Sequence, residues 1–284
     1  MRKYPIKLFE KDFKIIETMI TTKGSRTKKI VIDSHGQNAF FKYEGNNYNV
    51  SEACSEKMSY EIAKTLGYAC AKIELARDGN GVLGILNYFF VDVNNPNHMD
   101  AVGYLNIHND ERNKFYTIFN IKGTLDSLDS DLFNQFIRIM IFDALVGEQD
   151  RHEENWGIEN LNGKYVLSPL YDNGCNLLRE FKNELFAEKY YSGIKDFDKF
   201  INKSTTLIYK EDNKTKYKHF ELIEYLNKLY PVVVQKELEN LKKLTDRKIE
   251  NIVSNIPDNL LTKKHKEYII IYLKKRRDIL LNIK

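Results

Sequence analysis

Cysteine is scarce in this chain of 284 residues: Cys54, Cys70 and Cys175 stand far apart. No C-x-x-C pair occurs, which argues against zinc, and an odd count so widely spaced argues against a disulfide framework. The first ten residues, Met-Arg-Lys-Tyr-Pro-Ile-Lys-Leu-Phe-Glu, lack the apolar core and small-residue cleavage site of a signal peptide. No run approaches the ~20 apolar residues that a membrane span needs. No membrane association is expected, and the cytoplasm is the expected location, with export by a non-classical route as the alternative. Neither an internal repeat nor a low-complexity segment is present, and no stretch matches the Walker phosphate loop.

What is present suits a globular enzyme-sized chain. Hydrophobic residues make up 42% and charged residues 30%, enough for a sizeable core in one large domain or two lobes. Aromatic residues supply much of that core, with 18 Tyr and 16 Phe. The net charge of +4 neither demands nor excludes an anionic partner.

Strands dominate the first ninety residues. The segment 1–20 holds Ile15-Ile16 and Met19-Ile20, which suit a short helix or a strand. A polar turn at 21–28 leads into β-branched Lys29-Ile-Val-Ile-Asp33, a hairpin turn at 34–38, and a strand at Ala39-Phe-Phe-Lys-Tyr43. After a loop at 46–50, Ser51 is placed to cap a helix whose buried stripe is Cys54, Met58, Ile62 and Leu66, and Gly67 ends it. Two further strands, 70–76 and 83–91, flank the Asp78-Gly-Asn-Gly81 turn. The polar cluster Val93-Asn-Asn-Pro-Asn97 marks a change of character, and helices dominate afterwards. The expected fold is α+β, with a strand-rich lobe over 1–92 and a larger helical lobe over 93–284. Residues 100–128 suit short helices. A helix capped by Asp129-Ser-Asp131 and running from Leu132 to Val146 is apolar nearly all round, hence central. Later helices are expected at 178–191, 216–229, 231–244, 246–254 and 262–282, with an exposed charged loop at 210–216.

The central helix delivers the chain to Gly147-Glu-Gln-Asp-Arg-His-Glu-Glu-Asn-Trp-Gly157. Asp150 and Asn155 have four residues between them, the Asp-to-Asn spacing of the kinase catalytic loop H-R-D-x-x-x-x-N. In that loop the Asp accepts a proton from the attacking hydroxyl and the Asn holds magnesium. Asp172, in Ser168-Pro-Leu-Tyr-Asp-Asn-Gly174, follows a strand-like Lys164–Leu167, where a second metal-binding Asp is required. Oxygen ligands of this kind suit Mg²⁺. Asp, Glu, Asn and Gly also make ordinary surface turns, but a turn at the inner end of a buried helix is the less common kind. Lys42, in an apolar strand, is the candidate for the lysine on the nucleotide phosphates, although a lone strand lysine is more often solvated. Glu56 is its preferred partner on the following helix; Glu52 shares that face and Glu61 is rotated away. Gly24, Ser25 and Thr27 lie one hairpin earlier, where backbone amides and hydroxyls can cradle phosphate. Phosphate added to Ser25 or to Thr21, Thr22 or Thr27 would set like charge beside the nucleotide, a form of self-inhibition. His152 has no second ligand at metal spacing and is read as bonding backbone. The basic runs Lys263–Lys266 and Lys274–Arg277 are read as a solvated helix face; direct nucleic-acid binding is not expected.

These residues together resemble the HipA-like serine/threonine kinases, the family of bacterial persistence toxins and related pro-inflammatory kinases. The matching parts are Gly24-Ser-Arg-Thr-Lys28, Phe41-Lys42, Glu56 with Ala63–Gly67, Asp150-Arg-His-Glu-Glu-Asn155 and Ser168-Pro-Leu-Tyr-Asp172. The D-R-H-x-x-N run is shared with phosphoinositide kinases, whereas Pro-Leu-Tyr-Asp is the more HipA-like feature. The resemblance implies a two-lobed kinase fold, ATP with Mg²⁺, and transfer to a protein Ser or Thr, self-phosphorylation included. It implies Asp150 as base, Asn155 and Asp172 as magnesium ligands and Lys42 on the phosphates. It also implies a protein substrate and, as in toxin–antitoxin pairs, an antitoxin or regulatory partner. The chain is shorter than the full-length persistence kinase, and that kinase's extra amino-terminal subdomain is not expected. Two alternatives stand beside this reading: a small-molecule or lipid kinase with the same machinery, and an inactive nucleotide-binding module.

Overall fold

The computed structural model describes residues 3–17, 28–44, 51–91, 97–105, 107, 112–179, 188–190 and 192–284. The Gly24, Ser25 and Thr27 turn, the loop at 46–50 and most of the 93–97 boundary lie outside the described residues.

The fold is α+β, with a curled sheet followed by a helical part. Strands β1 (Ile6–Leu8), β2 (Phe13–Glu17), β3 (Lys28–Asp33), β4 (Asn38–Tyr43), β5 (Ile73–Arg77) and β6 (Leu83–Tyr88) form a six-stranded sheet in the order β1-β5-β6-β4-β3-β2. A short helix, α1 (Phe9–Asp12), separates the first two strands. β1 runs parallel to β5, and the remaining neighbours are antiparallel. Ile15 and Ile16 therefore belong to a strand rather than a helix.

Strand alternation places the key lysine. Ala39 and Phe41 of β4 join Phe13, Val31, Ala76, Leu86 and Tyr88 in a small apolar cluster. Successive strand residues face opposite ways, so Lys42 projects from the other face. There it is paired in register with Ile85, a member of the main core. Helix α2 (Glu52–Leu66) packs into that core through Cys54, Met58, Ile62 and Leu66. Its ends form as the sequence dictates: Ser51 Oγ accepts from Cys54 N at 3.2 Å, and Gly67 takes a left-handed φ of 77°.

The helical part opens with β7 (His98–Asp100), α3 (Ala101–Leu105), α4 (Arg112–Phe115) and α5 (Ile118–Leu128). The central helix α6 (Leu132–Val146) has the predicted bounds and is buried along most of its length. Its amino-terminal cap is built differently from the expectation. Asp131 makes no side-chain cap bond; instead Asp129 Oδ1 accepts from Asp131 N at 2.9 Å, and the Asp131 carboxylate takes Asn134 and Gln135. Gly147 ends α6 with a φ of 75° under the Tyr272 ring, where an added Cβ would meet the Tyr272 hydroxyl at 2.0 Å. β8 (Gly157–Leu161) and β9 (Lys164–Leu167) follow as a hairpin, with β7 on its edge.

Later segments depart from the periodicity reading in three places. Leu177 and Leu178 have φ of 52° and 64°, so no helix begins at 178. Residues 205–218 form a second hairpin, β10 (Thr205–Tyr209) and β11 (Lys216–Lys218), preceded by α7 (Phe197–Lys203). The expected helix at 216–229 begins only at His219, as α8 (His219–Leu229). Helices α9 (Pro231–Asn240), α10 (Asp246–Ser254) and α11 (Lys263–Leu281) follow closely as read, the stretch beyond Asn240 tightening to a 3₁₀ turn. The basic face of α11 is not simply solvated. Lys266 is 5% exposed and pairs with Asp258, while Lys274, Lys275 and Arg277 pair with Glu250, Asp198 and Asp246. Arg276 is fully buried, its Nε donating to Ala144 O at 2.7 Å near the end of α6. Among the described residues no helix is long and apolar enough to cross a membrane.

Candidate active site

Lys42 meets the carboxylate that sequence order placed opposite it. Its Nζ donates to Asp172 Oδ1 at 2.9 Å and lies 3.6 Å from Glu56 Oε1. Lys42 and Glu56 are 9% and 2% exposed, so the charges act in a water-poor setting. Burial pushes the Glu56 carboxyl up to about 7 against the pull of Lys42. At Asp172 burial also acts upward, but the Lys42 ammonium, with Lys28 and Arg151 behind it, outweighs burial and holds the carboxyl at about 2. Lys42 is raised in turn: burial disfavours its charge, and Glu56 and Asp172 more than restore it. Lys28, the last residue of the Gly24–Lys28 match, stands opposite Lys42 in the β3–β4 register and adds a second cation acting on Asp172. Of the other glutamates on α2, Glu61 pairs with Lys57, and Glu52 lies 3.7 Å from Arg179.

Asp150 sits just past the Gly147 turn. Its main-chain N–H donates to Glu148 Oε1 at 2.9 Å, and its carbonyl accepts from Asn155 Nδ2 at 2.7 Å. The second bond commits the Asn155 amide nitrogen, so Oδ1 is the atom left to act as an acceptor or metal ligand. The Cys175 thiol donates to Asp150 Oδ2 at 3.5 Å. Burial and the Glu148 carboxylate raise that thiol, keeping it protonated. His152 bonds backbone as expected: its Nδ1 accepts from Glu154 N at 3.2 Å.

Several organising residues escaped the sequence reading. Arg151 is 4% exposed and bonds Asp143 of α6, the carbonyls of Asn155 and Tyr171, and the Asn173 side chain. Asp143 is the one acid in an otherwise apolar run of α6, and a buried acid needs a cationic partner; that was the available signal. Glu148 is 1% exposed, and burial pushes its carboxyl up to about 8 despite Arg151 nearby. Asn176 donates to Glu148 Oε2 and to Ser59 Oγ of α2, both at 3.0 Å, joining the helix to the loop. His219 Nε2 lies 2.6 Å from the Glu148 carbonyl. Tyr171 donates to Asp100 Oδ1 at 2.7 Å, and Asp100 also holds His98.

The donor set fits a hard divalent cation in part. Asp172 offers a carboxylate and Asn155 an amide oxygen, the ligand types Mg²⁺ prefers, with remaining positions left to phosphate and water. Among the described residues no group of three or more His, Cys, Asp or Glu gathers to hold a metal unaided.

Comparison with known proteins agrees with this architecture. The model of the HipA-like C-terminal domain matches residues 20–252. The chain is 23% identical to the serine/threonine-protein kinase CtkA of Helicobacter pylori over 240 residues, covering 81% of this chain and 71% of that protein. The crystal structure of the H. pylori proinflammatory kinase CtkA superposes with a TM-score of 0.78 at 18% identity, covering 97% of each chain. HipA from Shewanella oneidensis, solved with HipB and operator DNA, gives 0.58 at 12% identity over 93% of this chain and 65% of that one. At such identities the superpositions speak to the fold. The family-model match spans most of the sequence, and the chain belongs to the family of HipA-like C-terminal domains.

Proposed function

We propose that this protein is a kinase that uses ATP and Mg²⁺ to phosphorylate Ser or Thr on a protein. The observation that carries the reading is the Lys42–Asp172 contact at 2.9 Å. It joins the sheet to the segment that Arg151 ties to the Asp150–Asn155 loop, and with Glu56 it supports reading Lys42 as the phosphate cation and Asp172 as an acidic oxygen ligand. The name of the H. pylori relative supports the choice of a Ser/Thr protein as acceptor.

Lys42 would set its ammonium against the nucleotide phosphates, oriented by Glu56. Asp172 and Asn155 would hold the metal, which when bound neutralises charge on the phosphate oxygens. Asp150 would orient the acceptor hydroxyl and take its proton. A bond forms between that oxygen and the γ-phosphorus as the β–γ bridge breaks, and ADP leaves with the bridging oxygen.

The test is transfer of label from γ-labelled ATP with Mg²⁺ to proteins of a host lysate, followed by phosphosite mapping. Label on Ser or Thr, lost with Asp172→Ala, supports the proposal. Label that persists in that variant, or no transfer by wild type, overturns it. Transfer confined to lipids or small molecules would replace the protein acceptor with another class.

A further inference from the structure

We propose that Arg151 is a positioning residue that sets the placement of Asn155 relative to Asp172, and through it the affinity for a divalent metal bound with nucleotide. The inference rests on the function proposed above.

One guanidinium reaches both segments. Nη1 donates to Asn155 O and to Tyr171 O, each at 2.8 Å. Nη2 donates to Asn173 Oδ1 and, at 2.9 Å, to Asp143 Oδ1. Nε donates to Asp143 Oδ2 at 3.1 Å. The fork is therefore anchored from behind by the central helix, and its front edge spans from the Asn155 backbone to both neighbours of Asp172. Asp172 has a φ of 54°. A non-glycine residue keeps such a conformation where its surroundings over-determine it. Arg151 holds the carbonyl before it and the side chain after it.

Charge alone does not explain the arrangement. A buried ion pair with Asp143 would need only the Nε and Nη2 edge of the guanidinium. The Nη1 edge, which bridges Asn155 and Tyr171, has no part in that pair. A planar fork holds several acceptors in fixed directions, whereas an ammonium is a point charge on a flexible stem. Arg151→Lys thus retains the cation near Asp143 and loses the span.

The experiment measures Mn²⁺–ADP binding, with Mn²⁺ as an EPR-visible stand-in for Mg²⁺, beside metal-free ADP binding in chelator. Residues that orient metal ligands typically contribute about 10–100-fold to metal affinity. Arg151→Lys is expected to weaken Mn²⁺–ADP binding by about tenfold or more, with metal-free ADP affinity within about twofold of wild type. Unchanged Mn²⁺–ADP affinity, or an equal loss with and without metal, overturns the proposal and leaves Arg151 a structural residue. If Arg151→Lys does not fold, Asn173→Ala decides. It removes one of the two contacts that flank Asp172, the Nη2 bond to the Asn173 side chain, and keeps the Asp143 pair. Selective loss of Mn²⁺–ADP affinity supports the inference, and no selective loss overturns it. A wild-type protein whose ADP affinity does not respond to Mn²⁺ overturns the proposed function itself, and this inference with it.

Discussion

Lys42 Nζ and Asp172 Oδ1, 130 positions apart in sequence, stand 2.9 Å apart and join the sheet to the segment after β9. Glu56 completes a cluster of one cation between two carboxylates. The cluster makes stability depend on pH with a definite sign. Glu56 has its folded value raised from 4.5 to about 7, so the folded state retains a proton that the unfolded chain has released. Its contribution is present below 4.5 and is lost as pH rises through about 7.

Lys42→Met removes the cation that contacts both carboxylates, so Glu56 moves further upward. The variant is expected to lose more stability at about pH 8 than at about pH 5.5, by roughly 1–3 kcal/mol. Asp172 is partly solvated and adds less than its shift implies. Denaturant unfolding at the two pH values measures the difference. A penalty independent of pH would separate Lys42 from Glu56.

His219 acts in the opposite sense. It is 1% exposed between Glu148 O and Ser204 Oγ. Burial, with Arg276 adding to it, lowers its value from 6.5 to about 3. The unfolded chain therefore takes up a proton below 6.5 that the folded state refuses. Stability is retained above that pH and lost as pH falls toward 3, at about 1.4 kcal/mol per unit. Wild type and His219→Gln should accordingly converge in stability, or cross, between about pH 7.5 and pH 5. Parallel curves would show that His219 is protonated in the fold.

Local signals made much of the architecture legible. Ser51, the Cys54-Met58-Ile62-Leu66 stripe and Gly67 specify α2 within its own residues, and apolar content specifies α6. Lys42, Glu56 and Asp172 were legible as an ordered motif, and the structure brings these three side chains together. The Arg151–Asp143 pair was only half legible: an acid in the apolar run of α6 calls for a cation, but the Gly147 turn decides which one meets it. Leu178 opens the segment read as helical from its apolar spacing, yet left-handed φ values at Leu177 and Leu178 turn the chain there, and nothing in two leucines foretells it. The basic run on α11 reads as solvated until Asp198, Asp246, Glu250 and Asp258 arrive from other elements.

Gly147 joins the buried helix to the Asp150 loop, and its replacement should be costly for two separable reasons. A side chain is strained at a φ of 75°, by about 1 kcal/mol. Its Cβ would also meet the Tyr272 hydroxyl at 2.0 Å, within a core that gives way little. Gly147→Ala is expected to destabilise by about 2–4 kcal/mol. Adding Tyr272→Phe should recover part of the loss, since it removes the clashing oxygen and leaves the backbone strain. A double-mutant cycle in denaturant measures the coupling; strict additivity would show that the contact is not the cause.

Asp150 carries the sharpest prediction of the kinase reading. Its carbonyl and amide are fixed by Asn155 and Glu148, so the loop's shape does not depend on its carboxylate. That carboxylate meets the Cys175 thiol, a weak donor that leaves it available to an acceptor hydroxyl. Asp150→Asn keeps the shape and removes the base. It is expected to fold with a melting temperature near wild type and to bind nucleotide with Mg²⁺ about as tightly. Phosphoryl transfer should fall by about 10²–10⁴-fold, the usual contribution of a positioned base. Calorimetry with a non-hydrolysable ATP analogue and label transfer in parallel separate the two effects. Wild-type transfer in Asp150→Asn would remove Asp150 as the base. Lost metal–nucleotide binding in a folded variant would instead reassign its carboxylate to the metal.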